Sequence, residues 1–188
     1  MFDKTRIEAA VTSIIEAIGE DPARDGLVGT PQRVAEMYAE LFMGMGRNPK
    51  DELTVGFEVG HREMVIVKDI PFYSMCEHHL LPFYGVAHIG YVPNVDGRVI
   101  GLSKLARVVE IVSRRPQLQE RMTTEIADAI VEGLKPDGVG VIIQAEHLCM
   151  IMRGIKKPGS AIVTSALRGT FRSKSETRAE FFSLVQGR

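Results

Sequence analysis

Both cysteines of the chain lie next to histidines, a pattern that favours metal binding. Residues 76–79 read Cys-Glu-His-His and residues 147–149 read His-Leu-Cys. Thiolate and imidazole are the ligands that zinc prefers, and the Cys-x-x-His spacing allows two ligands from one loop to reach one tetrahedral ion. Cys76, His79 and Cys149 therefore form a candidate set of zinc ligands.

The number of ligands indicates the kind of zinc site. A structural zinc normally has four protein ligands, whereas a catalytic zinc keeps one position for water. A set of three leaves that position open, and His78 and His147 are then candidate proton-transfer groups. Two other interpretations remain open on the residues alone. The cysteines could be small buried hydrophobic residues beside hydrogen-bonded histidines, or Cys76 and Cys149 could form a reversible disulfide.

A second candidate site is the segment Gly101–Arg107. Ser103, Lys104 and Arg107 supply a hydroxyl, an ammonium and a guanidinium group around the predicted start of a helix, which Ser103 would cap. Free N–H groups at a helix N-terminus attract phosphate, so the segment can bind an anion. The alternative is an ordinary helix cap with solvated basic side chains. The chain has no P-loop or dinucleotide-binding loop, so a nucleotide would be held by scattered side chains.

Charge is unevenly distributed along the chain. The net charge is −1, but residues 1–150 carry −7 and residues 151–188 carry +6. A basic C-terminal segment suggests an anionic ligand, with phosphate the first candidate, and a solvated charged face is the alternative. We expect no nucleic-acid binding.

The overall composition is typical of a folded globular protein. The chain has 188 residues, of which 45% are hydrophobic and 25% are charged, enough for one domain or one domain with a small appendage. No apolar run approaches the ~20 residues of a membrane span, and the first residues lack the apolar stretch of a signal peptide. Two cysteines cannot form a disulfide framework, which indicates a reducing compartment. These features predict a cytoplasmic protein without membrane partners.

The hydrophobic pattern predicts a helical N-terminal appendage, residues 1–60, and a mixed domain, residues 61–188. Apolar residues at helical spacing predict five helices, at residues 7–18, 34–45, 105–112, 118–134 and 173–185. β-rich or alternating runs predict five strands, at residues 64–67, 84–92, 98–100, 139–143 and 162–166. Strand pairs on either side of a helix pair favour an α+β fold with an antiparallel sheet. In this scheme residues 76–79 lie in the loop after the first strand.

Taken together, these motifs resemble the GTP cyclohydrolase I family. The resemblance rests on six segments in this order: Thr30-Pro31-x-Arg33, Cys76–His79, Gly101–Lys104, Arg115–Arg121, His147–Cys149 and Arg153-Gly154. It covers the chain from about Thr30 to Phe182, and the cysteine–histidine motifs are highly specific in combination.

The resemblance implies a fold, an assembly and a reaction. The implied fold is a T-fold, an antiparallel four-stranded sheet with two long helices on one face, here with the N-terminal helices as an appendage. The implied assembly is a homodecamer of two stacked rings, with active sites at subunit interfaces. The implied reaction converts GTP and water to formate and 7,8-dihydroneopterin triphosphate, the first step of folate and pterin synthesis, with Zn²⁺ as the cofactor.

The resemblance also assigns catalytic roles to single residues. Cys76, His79 and Cys149 would bind zinc, which activates the water that attacks C8 of the guanine. His147 would protonate the purine near N7 as the ring opens, and His78 would assist proton movement.

Substrate contacts are implied in the same way. Glu120 would pair with the guanine N1–H and 2-amino group, since a carboxylate accepts two parallel donors, and Gln119 would support it. Glu36 stands where some family members have a lysine, which weakens the case for Arg33 as a phosphate ligand. The ribose and triphosphate would be held by hydroxyl and basic side chains: Ser103, Lys104, Arg107 and Arg153, with Arg33 reaching in from a neighbouring subunit.

Two other functions are compatible with these residues. One is a non-catalytic relative, a structural or nucleotide-sensing ring that retains zinc. The other is a zinc hydrolase that acts on a different purine. An open coordination position with His78 and His147 beside it argues against the first, and Glu120 favours a guanine-type substrate without excluding the second.

Overall fold

The structure is a computed structural model, and it describes residues 2–187 in two compact units. The first unit extends to Met43 and contains two helices, α1 (Lys4–Ala17) and α2 (Thr30–Leu41). Asp3 is the N-cap of α1, and its carboxylate accepts a hydrogen bond from the Arg6 N–H at 3.0 Å. Gly19 lies just past the end of α1, where its left-handed backbone conformation (φ +89°) favours glycine.

The second unit begins at Gly44, whereas the hydrophobic pattern predicted a boundary after residue 60. The segment between these positions contains a short 3-10 helix (Pro49–Leu53) and the strand β1. The strands of the unit are β1 (Gly56–Glu58), β2 (Val65–Cys76), β3 (Pro82–Val92), β4 (Arg98–Ile100), β5 (Pro116–Gln117), β6 (Gly138–His147) and β7 (Ala161–Gly169). Its helices are α3 (Leu102–Ser113), α4 (Gln119–Leu134), α5 (Leu148–Ile151), α6 (Thr170–Ser173) and α7 (Ser175–Gln186).

The main sheet has the strand order β5-β2-β3-β6-β7. The four long strands pair antiparallel, and the two-residue strand β5 pairs parallel to the end of β2. The fold is therefore α+β, as predicted, but the sheet has five strands and a parallel edge rather than four antiparallel strands. The short strands β1 and β4 form a separate antiparallel pair.

The predicted loop at residues 76–79 begins one residue later than expected. The sequence pattern ends the first strand at Val67, but β2 continues to Cys76 through a register shift between Val67 and Ile70. Asp69 adopts a left-handed conformation there, with φ 56°, and its N–H donates to His88 Nδ1 at 3.2 Å. The bulge lets the strand continue past polar residues that interrupt its hydrophobic pattern.

The two faces of the sheet are covered by different helices. Inward residues of β3 and β6, such as Ile89, Val141 and Ile143, join the main core with the apolar sides of α3 and α4. The predicted pair of long helices therefore packs on one face. Ile142 points to the opposite face, where it packs with Phe171 of α6 and Phe181 of α7.

Glycines make the second face of the sheet flat enough for these aromatic rings. A β-carbon at Gly140 would lie 2.6 Å from the Phe171 ring, and one at Gly90 would lie 2.8 Å from the Phe181 ring. Both separations are too short for real atoms, so the close approach requires glycine at these strand positions. No helix in the described part of the chain is long and apolar enough to cross a bilayer.

Candidate active site

The three predicted zinc ligands lie close together in the structure. The ligand atoms of Cys76, His79 and Cys149 all lie within 4.8 Å of one another. Cys76 Sγ is 4.0 Å from His79 Nδ1. Cys76 is buried, Cys149 is half-buried and His79 is exposed, so the cluster opens toward solvent on its histidine side. Both thiols are free in the structure, and the reversible disulfide between them stays an untested alternative.

Strand pairing brings the two cysteines together. Cys76 is the last residue of β2, and a tight turn follows in which the Leu80 N–H donates to the Cys76 carbonyl at 2.8 Å. The chain returns along β3, where Phe83 pairs with His147 at the end of β6. Cys149 lies two residues farther, in the single turn of α5. The turn and the strand register therefore place both thiols at one end of the sheet.

The turn of residues 76–79 is anchored to α4 and to β5. The N–H of Glu77 donates to the Gln117 carbonyl at 3.1 Å, and the Glu77 carboxylate forms an ion pair with Arg121. Arg121 also donates from Nε to Gln117 Oε1 at 3.0 Å. These contacts restrain the backbone between Cys76 and His79, because Glu77 lies directly between the ligands.

His147 is held on two sides. Its ring stacks on the Phe83 ring, with centroids 4.5 Å apart and planes 3° from parallel. Its Nε2 lies 2.8 Å from Gln119 Oε1. The Gln119 amide nitrogen donates to the Ile143 and Ile162 carbonyls at 3.2 and 3.0 Å.

These bonds determine the tautomer of His147. Gln119 Nε2 is committed to the two carbonyls and to Thr164 Oγ1, so its oxygen must face His147 and accept from Nε2–H. A neutral imidazole with the proton on Nε2 keeps its lone pair on Nδ1. Gln119, expected beside Glu120 in guanine recognition, is thus only 2% exposed and hydrogen-bonded to the histidine.

Burial shifts the titration of two groups in this region. It lowers the pKa of His147, and the nearby Glu120 carboxylate opposes this shift in part. Burial, followed by the neighbouring Cys76, raises the pKa of the Cys149 thiol. His147 is therefore neutral near pH 7. The effect of Glu120 on the His147 pKa also shows that the Glu120 carboxylate lies near this ring.

Two further predicted residues lie at the cysteine–histidine cluster. Arg153 Nη1 lies 2.9 Å from His79 Nε2. His78 is exposed, and its ring centroid is 6.3 Å from that of His79 at nearly a right angle. A guanidinium group and a second imidazole therefore border the exposed side of the cluster.

The predicted phosphate residues at the start of α3 form another group. The helix begins at Leu102 with Gly101 as its N-cap and without a side-chain cap, so Ser103 lies in the first turn and does not cap the helix as predicted. Lys104 and Arg107 both face the carboxylate of Glu52, at 3.5 Å each. We call these residues, together with Arg47, the Glu52 cluster.

Arg33 and Glu36 lie in the N-terminal unit, on α2. Arg33 Nη2 donates to Thr30 Oγ1 at 3.3 Å, and Glu36 accepts from Gln32 at 3.0 Å. Both side chains have partners within their own helix, and the contact of Arg33 with a triphosphate stays a prediction.

Comparison with known proteins decides the family. The family model described as GTP cyclohydrolase I matches residues 7–186. A relative from Dehalococcoides mccartyi (strain 195), named GTP cyclohydrolase 1, is 68% identical over 186 residues, which are 99% of this chain and 98% of the relative. The chain belongs to the GTP cyclohydrolase I family.

Other members of the family are similarly close. GTP cyclohydrolase 1 of Thermobifida fusca is 61% identical over 187 residues, covering 100% of this chain and 90% of its own. That of Thermoanaerobacter pseudethanolicus is 60% identical over the full length of both chains. Among solved structures, the archaeosine synthase QueF-Like in the apo form aligns with 56% of this chain and 93% of its own, at 17% identity and a TM-score of 0.47.

Several residues that the structure brings to the site were missed by sequence reasoning. Glu77 stands inside the Cys-x-x-His motif, so its position was a usable signal, but its partner Arg121 is 44 residues away. Phe83 and Thr164 reach His147 and Gln119 only through strand pairing. Glu52 lies in a segment without a recognisable motif, and the amino-acid pattern offered no signal for it.

Proposed function

We propose that this protein is a zinc-dependent GTP cyclohydrolase that converts GTP and water to formate and 7,8-dihydroneopterin triphosphate. The observation that carries the proposal is the convergence of Cys76, His79 and Cys149 beside a restrained His147, in a chain that belongs to this family. The same reaction would open the synthesis of folates and other pterins.

The three ligand side chains fit zinc. Two thiols and one imidazole are donors that zinc favours over magnesium or calcium, and their atoms are close enough to share one ion. Three protein ligands leave one coordination position for water or substrate, as in catalytic zinc sites. When bound, zinc supplies a water molecule of lowered pKa as the nucleophile.

His147 is the candidate general acid and base. Its neutral ring, with Nε2–H bound to Gln119, can take up a proton at Nδ1 and then deliver it to the purine near N7 as the imidazole ring of guanine opens. The stacked Phe83 ring and the Gln119 amide hold this orientation, so little reorganisation is needed for the transfer. His78, which is exposed, would exchange protons between this region and solvent.

Glu120 is the candidate for guanine recognition. It is the second residue of α4, exposed, and close enough to His147 to influence its pKa. A carboxylate can accept the parallel N–H donors of the guanine N1 and 2-amino positions, which adenine does not present. This arrangement would place the base beside the histidine, with the reacting carbon toward the cysteine–histidine cluster.

The triphosphate would be bound by basic groups at two places. Ser103, Lys104 and Arg107 lie in the first two turns of α3, whose uncapped N-terminal N–H groups also attract anions. Arg153 lies at the cluster itself, beside His79. Arg33 remains a candidate from a neighbouring subunit.

We also propose the T-fold assembly implied by the family, a homodecamer of two stacked rings. Open sheet edges support an edge-to-edge ring. Among the described residues, β7 pairs only with β6, and β5 covers only the last two residues of β2. Unpaired strand edges readily pair with another chain. Light scattering or native mass spectrometry tests the assembly, and a monomer at working concentration would contradict it. Two cysteines cannot form a disulfide framework, which favours a reducing compartment, the cytoplasm.

The reaction is tested by incubating the zinc-loaded protein with GTP and measuring formate together with the fluorescent oxidised pterin. Equal amounts of both products are expected. Formate without pterin would mean that the reaction stops after ring opening. Absence of both products would contradict the proposed function, and a parallel reaction with ATP tests whether a different purine is the substrate.

A further inference from the structure

We propose that Glu52 is a positioning residue that holds Lys104 and Arg107 ready to bind the triphosphate of the substrate. This inference rests on the proposed function, because it concerns the phosphate end of the same substrate. Glu52 Oε2 lies 3.5 Å from Lys104 Nζ and 3.5 Å from Arg107 Nη1. Its Oε1 accepts a hydrogen bond from Arg47 Nη2 at 3.1 Å. One carboxylate therefore contacts three cationic side chains.

The position of Glu52 is fixed by its neighbours on the 3-10 helix. Leu53 is fully buried in the main core and packs so tightly against α4 that a β-carbon at Gly133 would lie 2.8 Å from it. On the other side, Lys50 forms an ion pair with Glu132 of α4 at 2.8 Å. The Glu52 side chain itself is only 16% exposed. The carboxylate is thus a fixed point to which longer side chains adjust.

The two cations need such a fixed point. Lys104 and Arg107 lie three residues apart on α3 and therefore share one face of the helix, where like charges repel. Lysine and arginine side chains also lose considerable rotamer freedom when they bind a ligand. A carboxylate between them offsets the repulsion and limits their freedom before the substrate arrives, which reduces the cost of binding.

Glu52 does not neutralise the site. Three cations against one carboxylate leave an excess of two positive charges within the Glu52 cluster. The 3.5 Å separations are longer than the ~2.8 Å of a fully formed charge-assisted hydrogen bond, so the N–H donors of Lys104 and Arg107 remain available for phosphate oxygens. The cluster is therefore preorganised for an anion that carries more charge than the carboxylate itself.

The test is Glu52→Gln in the zinc-loaded full chain. This isosteric change keeps the shape of the side chain and removes the charge that orders the cations. The KM for GTP is expected to rise about fivefold, as for the loss of two partly exposed ion pairs, with little change in kcat. The inhibition constant of guanosine, which has no phosphates, should stay the same. A fall in stability alone cannot produce this separation of GTP from guanosine.

The matched control is Asp51→Asn. It removes one negative charge from the same 3-10 helix, at an exposed neighbour of Glu52, and should leave the KM unchanged. In a second comparison, Glu52→Gln is combined with Lys104→Gln. If Glu52 acts through Lys104, it should raise the KM less in the double variant than in the wild-type background.

Three results would overturn the inference. An unchanged KM would show that the contacts have no role in binding, a lowered KM would show that Glu52 repels the triphosphate, and an equal change for guanosine would indicate damage to the whole site. If the wild-type protein forms no formate, the proposed function fails by itself. Calorimetric titration with GTP and with guanosine then still tests Glu52, since it requires no turnover.

Discussion

The cysteine–histidine cluster and the Glu52 cluster are held together in different ways. The first depends on backbone geometry, namely a tight turn after β2 and the pairing of Phe83 with His147. The second depends on long side chains that meet across the space between a 3-10 helix and α3, and Arg107 is 59% exposed there. A metal site built on the backbone should fail completely when one ligand is lost, whereas a partly solvated ion cluster should weaken by degrees.

The largest effect is expected from Cys149→Ala. With two ligands left, the site should lose both zinc and formate production, because catalytic zinc sites normally use three protein ligands. Metal content after dialysis and the formate assay measure the two losses. Met152→Ala, at an exposed position just after α5, is the control and should retain both. Full metal content in the cysteine variant would show that the ligand set is wrong.

A second large effect, without metal loss, is expected from His147→Ala. His147 lies two residues before Cys149 in the chain but is not one of the three converging ligands. Turnover should fall by about 10²- to 10⁴-fold, the usual contribution of a general acid–base group, while zinc content is unchanged. Loss of metal from this variant would mean that His147 is a ligand, and the contrast between the clusters would need revision.

A smaller effect is expected from Gln119→Leu. Removal of the amide frees the His147 ring and leaves the Ile143 and Ile162 carbonyls without their side-chain donor. We expect kcat to fall about tenfold with zinc retained, and the free energy of unfolding to fall by about 1–3 kcal/mol. Thr164→Val removes the hydroxyl that accepts from Gln119 and bonds to Thr123, but leaves the Gln119–His147 contact in place, so kcat should fall less than in Gln119→Leu. An unchanged kcat would remove Gln119 from the positioning of His147.

The smallest effect concerns His88, a buried histidine outside both clusters. Burial lowers its pKa, with Asp69 opposing and Lys68 assisting this shift. The unfolded chain therefore binds a proton more readily, so the stabilising contribution of neutral His88 is complete above about pH 6.5 and is lost as the pH falls below that value. Activity is not expected to follow this titration.

The measurement is the free energy of unfolding against pH for the wild type and for His88→Asn, which keeps an acceptor for the Asp69 N–H. The difference between the two proteins should shrink as the pH falls from 7 toward 5. His61→Asn, at an exposed histidine, is the control. A pH dependence of equal size in the control variant would contradict the role of burial.

The contrast between the two clusters also explains which residues of the candidate site could be predicted from the sequence. The proximity of Cys76 and His79 follows from their separation of three residues, because one turn is enough to bring them together. Cys149 was predicted as the third ligand from ligand chemistry alone. The register of β3 with β6 shows how the fold places it next to Cys76. The role of Glu52 required tertiary structure, since nothing in residues 49–53 indicates which cations they meet.

The fold shows the same division between local and non-local information. Helix α4 and strand β6 follow from periodicity, since each repeats its apolar pattern without interruption. The full length of strand β2 does not follow from periodicity, because Asp69 and Pro71 interrupt the apolar pattern of its second half. Pairing with β3 continues there because of the bulge opposite His88. The parallel strand β5 has two residues, too few for any pattern to predict.

The covering of the second sheet face has a consequence for biosynthesis. The glycine-lined face of β3 and β6 is packed by Phe171 of α6 and Phe181 of α7, two helices that follow these strands in the chain. During translation, β3 and β6 leave the ribosome before α6 and α7 are synthesised, so the second face of the growing sheet stays uncovered until these helices emerge. A message truncated before the codon for Phe171 would therefore release a protein that has all three candidate zinc ligands but exposes the apolar second face of its sheet to solvent.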